Sequence, residues 1–270
     1  MENKTCIHCK TELLGSYCYV CDEKIVSPKD FSLSTMVEQS VDVFTHMDSK
    51  LYRSFKKLLV SPGFLSEAYV MGLRKPFMKP FQIFILVNIL FFVLLSDTDI
   101  FRKPSSWWFT VSADMGYSIK SMAGQKALEL DLTMDQLSNA YDQKSKSVAK
   151  ALVIAFIPIL TLNFTILFIR KKFPTGQHII FATHFFSFVL LIMVAWIELV
   201  NLLFGHVNNL IYVIPIQLII LVYLFYAVKK FYKSVWIYSI IASLLSLLVF
   251  NICLEIYRTM ISLYSLNSLN

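Results

Sequence analysis

Five long apolar runs constrain this chain more than any other feature of its sequence. Each is close to the ~20 residues that an α-helix needs to cross the hydrocarbon core of a bilayer, and the mean hydropathy of the whole chain is +0.61. The runs cover residues 77–96, 148–169, 178–204, 210–228 and 234–257. The sequence therefore predicts an all-α membrane protein with about five transmembrane helices, in a transmembrane domain of residues 77–270.

The basic residues predict the orientation of these helices. The net charge is +7, and Lys and Arg gather before the first run, at Arg170–Lys172 and at Lys229–Lys233. Because basic loops stay on the cytoplasmic side, we expect a multi-pass protein of the cytoplasmic (inner) membrane, with its N-terminus in the cytosol and its C-terminus outside. Basic residues beside apolar runs contact phospholipid headgroups, so the lipid bilayer is the expected partner and nucleic acid is not.

The segment of residues 97–147 is expected to be extracytoplasmic and partly ordered. Thr133 and Gln136 have the spacing of a capping box, which predicts a helix that continues into the second apolar run. Trp107 and Trp108 lie beside basic residues. They are typical of an interfacial aromatic belt, and binding of a partner or a carbohydrate is the alternative.

Four cysteines near the start of the chain predict a metal site. Cys6, Cys9, Cys18 and Cys21 form the pattern Cys-x2-Cys-x8-Cys-x2-Cys. Each Cys-x2-Cys directs two thiolates at one ion, and four thiolates complete the tetrahedral shell of structural zinc. We therefore expect a four-cysteine zinc ribbon in residues 1–27, with no coordination position left open for a substrate.

Residues 28–76 predict amphipathic helices between the ribbon and the first span. Apolar residues recur there at helical spacing, among them Leu51, Phe55 and Leu58. Pro62-Gly63 should stop this helix, and a short second helix from Phe64 to about Met71 should end at Gly72. The segment is either a collar that couples the ribbon to the spans or an interfacial anchor.

Several motifs carry a resemblance to a known family. They are the cysteine pairs, Thr45-His46-Met47-Asp48, Ser61-Pro62-Gly63, the run from Tyr69 to Pro76 that contains Arg74, and His178 with His184. The chain resembles a bacterial family of zinc-ribbon membrane proteins of unknown function. The resemblance implies a cytosolic ribbon, an amphipathic segment and a helical membrane domain, and it supplies no activity. The family's ribbon commonly ends Cys-Gly-Gln, whereas Cys21 is followed here by Asp22-Glu23.

Polar residues within the apolar runs have two interpretations. They are Asn88, Asn163 and Gln217, deep in the predicted hydrocarbon, and Glu198 and Glu255 near the outer ends of their spans. Burying a polar group at this depth in the hydrocarbon costs free energy unless the group forms hydrogen bonds with protein or water. These residues either line a pathway for ions or form hydrogen bonds between helices, with Glu198 and Glu255 near enough to the interface to reach water or Arg258.

His46, Asp48, His178 and His184 form a second candidate metal set. All four are predicted near the cytosolic face, where such ligands would serve a membrane-embedded metal enzyme. The spacing gives weak support, because His178 and His184 would lie about 120° apart around one helix.

These observations predict an oligomeric channel or membrane effector that is gated through the ribbon and the collar. A non-catalytic scaffold that recruits a cytosolic protein at the ribbon is the alternative. A metal-dependent membrane enzyme comes third, because no nucleophile motif or phosphate loop accompanies the histidines. The expected partners besides lipid are further copies of this chain and a cytosolic protein.

Overall fold

A computed structural model describes residues 5–13, 15–21, 23, 48–95, 98–110, 119–205 and 209–269. Its named secondary structure is helical, which confirms the predicted fold class. The helices are α1 (Asp48–Val60), α2 (Phe64–Met71), α3 (Pro80–Leu94), α4 (Ser105–Trp108), α5 (Ile119–Glu129), α6 (Met134–Leu152), α7 (Phe156–Leu167), α8 (Thr175–Phe204), α9 (Asn209–Tyr232) and α10 (Trp236–Asn267).

Four apolar helical segments are long enough to cross a membrane. They are Met134–Leu167, Thr175–Phe204, Ile211–Tyr232 and Trp236–Asn267, so the chain is a membrane protein. The helix in the first predicted span, α3, has 15 residues. It is about 22 Å long, shorter than a hydrocarbon core of about 30 Å. The count of five spans and the sides on which the termini lie stay predictions.

Local signals explain where two helices begin and end. The Thr133 hydroxyl accepts a hydrogen bond from the backbone N–H of Gln136 at 3.3 Å, and the Gln136 side chain accepts one from the N–H of Thr133 at 2.9 Å. The predicted capping box is therefore confirmed at the start of α6. The predicted helix from Phe64 to Met71 is also confirmed, and it ends at Gly72 with a φ of 99°.

The turn between α1 and α2 requires its glycine. Gly63 has a φ of +76°, and a Cβ added there would lie 2.7 Å from the carbonyl oxygen of Ala227 on α9. A side chain at this position would combine an unfavourable backbone conformation with a clash against the backbone. The Ser61-Pro62-Gly63 motif thus brings the α1–α2 pair directly against α9. The earlier part of the predicted amphipathic segment, residues 28–47, lies outside the described residues.

The chain forms two compact units, Met1–Leu95 with Ile157–Leu248 and Ser96–Phe156 with Val249–Asn270. In the first unit, α8 is buried along most of its length and contacts α2, α3 and α9. Aromatic rings fill these contacts, with Phe84 stacked on Phe186 at 5.9 Å and Phe164 edge-on to Phe181 at 4.8 Å between ring centroids. A helix that is apolar on all sides belongs at such a centre.

The second unit has its own apolar core. Tyr141 of α6 is fully buried there, and its ring lies 5.0 Å from that of Phe109. The core consists of Trp108, Phe109, Ile119, Ala123, Ala127, Leu137, Tyr141, Leu266 and Leu269. Of the two tryptophans expected at a membrane interface, Trp108 lies in this core and Trp107 is half exposed.

Candidate metal centre and its docking contact

Backbone hydrogen bonds shape the cysteine pairs. The N–H of Cys6 donates to the carbonyl of Thr11 at 2.8 Å, and the N–H of Lys10 donates to the carbonyl of Cys6 at 2.9 Å. Lys10 has a φ of 64°, the left-handed conformation that closes a tight turn. In the second pair, the N–H of Cys18 donates to the carbonyl of Glu23 at 2.8 Å. The two turns direct their thiols towards each other.

The four thiols are positioned to bind one metal ion. All four sulfur atoms lie within 4.8 Å of one another. The closest pairs join the two turns, with Cys6 Sγ 3.5 Å from Cys21 Sγ and Cys9 Sγ 3.4 Å from Cys18 Sγ. A tetrahedral ion with metal–sulfur bonds of about 2.3 Å needs sulfur atoms about 3.8 Å apart. The closest pairs are a few tenths of an ångström too short and no pair is more than about 1 Å too long, so small side-chain shifts would fit the cluster to a tetrahedral ion.

Local electrostatics acts unequally on these thiols. Hydrogen bonds with the side chain and backbone of Thr11 lower the pKa of Cys9 to about 6. Removal from water raises the pKa of Cys21 to about 12. A cation at the centre favours the thiolate form of all four ligands.

Glu23 connects the cysteine segment to the helical part of the same unit through hydrogen bonds. Its side chain is buried, with 6% of the residue exposed. One carboxylate oxygen accepts a hydrogen bond from the backbone N–H of Arg74 and the other from the N–H of Lys75, both at 3.2 Å. This contact was not predicted from the sequence, because both donors are backbone N–H groups and the side-chain pattern does not specify them.

Arg74 also stabilises the turn that Glu23 contacts. Its Nε donates to the carbonyl of Tyr69 at 3.3 Å, and its guanidinium lies 4.5 Å from the centroid of the Tyr69 ring. The N–H of Arg74 is shared between Glu23 and the carbonyl of Gly72. The motif from Tyr69 to Pro76 is thus a helix end, a tight turn and a docking point for Glu23.

The polar residues of the spans have different surroundings. Asn163 donates from its Nδ2 to the Ser246 hydroxyl at 2.8 Å, which is a hydrogen bond between helices. Within the described part of the chain, the buried Nδ2 of Asn88 has no hydrogen-bond partner. Gln217 is half-buried on α9. The interhelical interpretation therefore holds for Asn163, and a pathway role for Asn88 and Gln217 stays a prediction.

Glu198 and Glu255 belong to different units. Glu198 is exposed on α8 of the first unit. Glu255, in the second unit, accepts a hydrogen bond from Arg258 at 2.6 Å and lies 3.8 Å from the Nζ of Lys103. Of the two partners that the bonding interpretation allows for Glu255, water and Arg258, the structure shows Arg258. A vestibule formed with Glu198 stays a prediction.

The two histidines of α8 have separate partners. Nδ1 of His178 lies 2.8 Å from the Tyr232 hydroxyl, and Nδ1 of His184 lies 3.0 Å from the Ser66 hydroxyl on α2. Among the described residues, the four cysteines are the group of His, Cys, Asp and Glu side chains gathered for a metal. His46 and the side chain of Asp48 lie outside the described residues, so the full candidate set stays a prediction.

Part of the chain matches a known protein family. No curated protein and no solved structure matches it. A family model described as "Protein of unknown function (DUF3667)" matches residues 48–92. This stretch holds the Ser61-Pro62-Gly63 turn and the Arg74-Lys75 turn, whereas the cysteines, His178 and His184 lie beyond it. Over residues 48–92 the chain is therefore similar to a family of unknown function.

Proposed function

We propose that this protein is a membrane-embedded adaptor that holds a structural zinc ribbon against the cytosolic face of its helices and presents that ribbon to a cytosolic protein. Zinc is the ion that best suits four thiolates in a closed tetrahedral shell. All four positions are filled by cysteine, so the ion would support the fold of the ribbon and leave no place for a substrate. The adaptor is thus non-catalytic at this centre.

The contact between Glu23 and the Arg74-Lys75 turn carries this proposal. Both carboxylate oxygens are used, each by a backbone N–H at 3.2 Å, and the residue is largely removed from water. Hydrogen bonds to a charged acceptor are stronger than bonds between neutral groups. A ribbon held in this way has a fixed orientation on the helices, so a partner loses less conformational entropy on binding.

The exposed side of the ribbon suits a protein partner. Tyr17, Tyr19 and Val20 surround Cys18 in sequence and are 58%, 65% and 60% exposed. Tyrosine supplies a large contact area at low entropic cost and is enriched at protein interfaces. The buried Glu23 and these exposed residues follow one another within seven positions of the sequence. One short segment would thus serve both docking and recognition.

Site-specific photo-crosslinking in native membranes tests the recruitment of a partner. A photoreactive residue at Tyr19 should form one dominant adduct with a cytosolic protein. The same residue at Lys10, which is exposed on the first cysteine pair, should not form it. Cys18→Ser should abolish the Tyr19 adduct, since the ribbon loses a ligand. Equal adducts at Tyr19 and Lys10, or an adduct that persists in Cys18→Ser, would count against the adaptor.

Amide hydrogen exchange tests the docking contact directly. Glu23→Ala should speed exchange of the Lys75 amide by about 10-fold or more, because it loses its bond to a charged acceptor. The Arg74 amide should respond less, since it keeps its hydrogen bond to the Gly72 carbonyl. Glu12→Ala removes an exposed carboxylate from the ribbon and should leave both amides unchanged. The zinc content should stay the same in both variants. Unchanged exchange in Glu23→Ala would contradict the contact.

A channel is the second candidate, and Asn88 is the observation that favours it. Within the described residues, its buried Nδ2 has no partner, and a buried amide of this kind is commonly satisfied by water. Conduction would need several copies of the chain, because one copy has few spans to enclose a pore. Ion flux through liposomes that falls in both Asn88→Leu and Gln217→Leu would favour the channel. Flux that is absent, or unchanged in these variants, would favour the adaptor.

A further inference from the structure

An apolar groove runs between α9 and α10 in the first unit. It encloses about 250 Å³ and is lined by Leu221, Val222, Phe225 and Tyr226 on α9 and by Ile240 and Leu244 on α10. It lies in the parts of these helices that are apolar enough to cross a membrane. An acyl chain is the ligand with the matching chemistry in that environment.

One residue lining the groove has a buried, small side chain. Ser243 of α10 lines it, and the Ser243 hydroxyl donates to the backbone carbonyl of Ser239 at 2.7 Å. This hydroxyl is therefore already bonded within its own helix. The short side chain leaves space where a leucine would fill it, and the surface remains apolar.

One end of the groove carries an aromatic ring and a cation. The ring of Trp236 lies 5.2 Å from that of Phe225, which lines the groove. The Nζ of Lys229 lies 3.4 Å from the centroid of the Trp236 ring, one helical turn beyond Phe225. Tryptophan is typical of the membrane–water interface, and the cation–π contact holds the ammonium group at that level. The groove thus extends from an interface into apolar surroundings.

The positive charge at this end is not neutralised by the described residues. No carboxylate among them forms an ion pair with Lys229, Lys230 or Lys233. The Nζ of Lys230 lies over the Phe64 ring at 4.8 Å, and the backbone carbonyl of Lys233 accepts a hydrogen bond from Lys171 at 3.4 Å. Lys171, Lys229, Lys230 and Lys233 therefore lie around the loop that joins α9 to α10.

We propose that this groove is a binding site for an anionic phospholipid. One acyl chain occupies the groove between α9 and α10, and the phosphate lies at Lys229 beside Trp236. Basic pockets between membrane helices bind anionic headgroups because charge attraction adds to the burial of the chain. A zwitterionic lipid gains the apolar contact but little of the charge attraction. The site should therefore select lipids by headgroup charge, independently of any partner at the ribbon.

Native mass spectrometry of the full chain with defined lipids tests this site. The protein is purified in detergent and titrated with phosphatidylglycerol or phosphatidylcholine of identical acyl chains. The wild type should retain phosphatidylglycerol more tightly. Lys229→Gln should reduce that preference about fivefold, which corresponds to one lysine at an anionic surface. Lys229→Arg should restore it, since the charge and the cation–π contact remain possible.

Two further variants distinguish lipid binding in the groove from charge attraction elsewhere on the protein. Ser243→Leu fills the groove and should lower the retention of both lipids. Lys50→Gln, at an exposed lysine of α1, should leave the preference unchanged. Equal retention of the two lipids by the wild type would overturn the proposal, and so would an equal loss in Lys50→Gln. If Ser243→Leu converted an oligomer to a monomer and left lipid retention unchanged, the groove would hold a second copy of the chain instead.

Discussion

In the first unit, Lys57 and Lys230 each place their Nζ 4.8 Å from the centroid of the Phe64 ring, and Lys229 lies over Trp236. In the second unit, Arg102 is buried, with 6% of the residue exposed, and its two terminal nitrogens lie 2.5 Å from Asp99 and from Asp142. The first unit thus places these cations on aromatic rings at its surface. The second encloses Arg102 between carboxylates.

Ion pairs within the second unit stabilise its fold. Asp142 of α6 accepts hydrogen bonds from Arg102 and from the backbone N–H and hydroxyl of Ser105. Burial raises the pKa of Asp99, and the neighbouring Arg102 opposes this shift. Burial also lowers the pKa of Lys103, which pairs with Glu255. These charges stabilise the fold, whereas Lys57, Lys229 and Lys230 of the first unit contact aromatic rings.

The difference also bears on the predicted orientation. Arg102 and Lys103 are basic residues in the segment expected outside the membrane, which the rule for basic loops would disfavour in a short loop. Here both are paired with carboxylates of their own unit. The charges of Arg102 and Lys103 are therefore compensated within their own unit.

Removal of one cysteine of the candidate metal centre should destabilise the protein most, because the fold of a small metal-binding segment depends on its ion. Cys18 is fully buried, and Cys18→Ser leaves three thiolates around the ion. Structural zinc contributes about 10–16 kcal/mol to small modules of this type. On the proposal that these cysteines hold zinc, metal analysis should show a fall from one zinc per chain to nearly none. Cys253→Ser, a thiol outside the cluster, should keep its zinc, and equal loss in both variants would contradict the assignment.

Arg102→Met should have the next largest effect. It leaves Asp99 and Asp142 partly buried without their counter-charge, which costs about 3–5 kcal/mol for a buried pair. The loss should appear as faster amide exchange throughout α6 in the full chain. Lys126→Met is the matched control, since its partner Glu129 is largely exposed and such pairs contribute about 0–1 kcal/mol. Similar amide exchange in the two variants would mean that the buried ion pairs of Arg102 stabilise the second unit no more than an exposed pair does.

Lys230→Met makes the corresponding change in the first unit and should have a small effect. The exposed contact with the Phe64 ring is worth about 0.5–1 kcal/mol, and no buried carboxylate is left behind among the described residues. Thermal unfolding in detergent should therefore shift much less than in Arg102→Met. A shift as large as that of Arg102→Met would mean that the lysines of the first unit are structural.

The hydrogen bond between Asn163 and Ser246 should have the smallest coupling. It is a neutral bond between helices, and such bonds average about 0.6 kcal/mol in double-mutant cycles within membranes. A cycle of Asn163→Leu and Ser246→Ala, read by unfolding in detergent, measures it. A coupling above about 2 kcal/mol would make this neutral bond comparable to the charged network of the second unit.

Features governed by neighbouring residues could be predicted from the sequence. The capping box of Thr133 and Gln136 and the stop at Gly72 are interactions within a few positions. The contact of Glu255 with Arg258 spans three positions. The length of an apolar run likewise predicts a membrane helix without reference to other parts of the chain. One such prediction gave a longer helix than the structure has, since α3 begins only at Pro80, where proline is suited to the first helical position.

The sequence by itself determined the helical membrane class, the four cysteines that are positioned to bind a metal ion and the boundaries of several helices, because these depend on composition, spacing and short-range hydrogen bonds. Only the tertiary structure decided which polar groups meet. Glu23 binds a turn about 50 residues away, Asn163 bonds to Ser246 and Arg102 lies against Asp142. Such pairs form when docked helices bury polar groups that must then find partners, and a linear pattern does not specify which partners lie within reach.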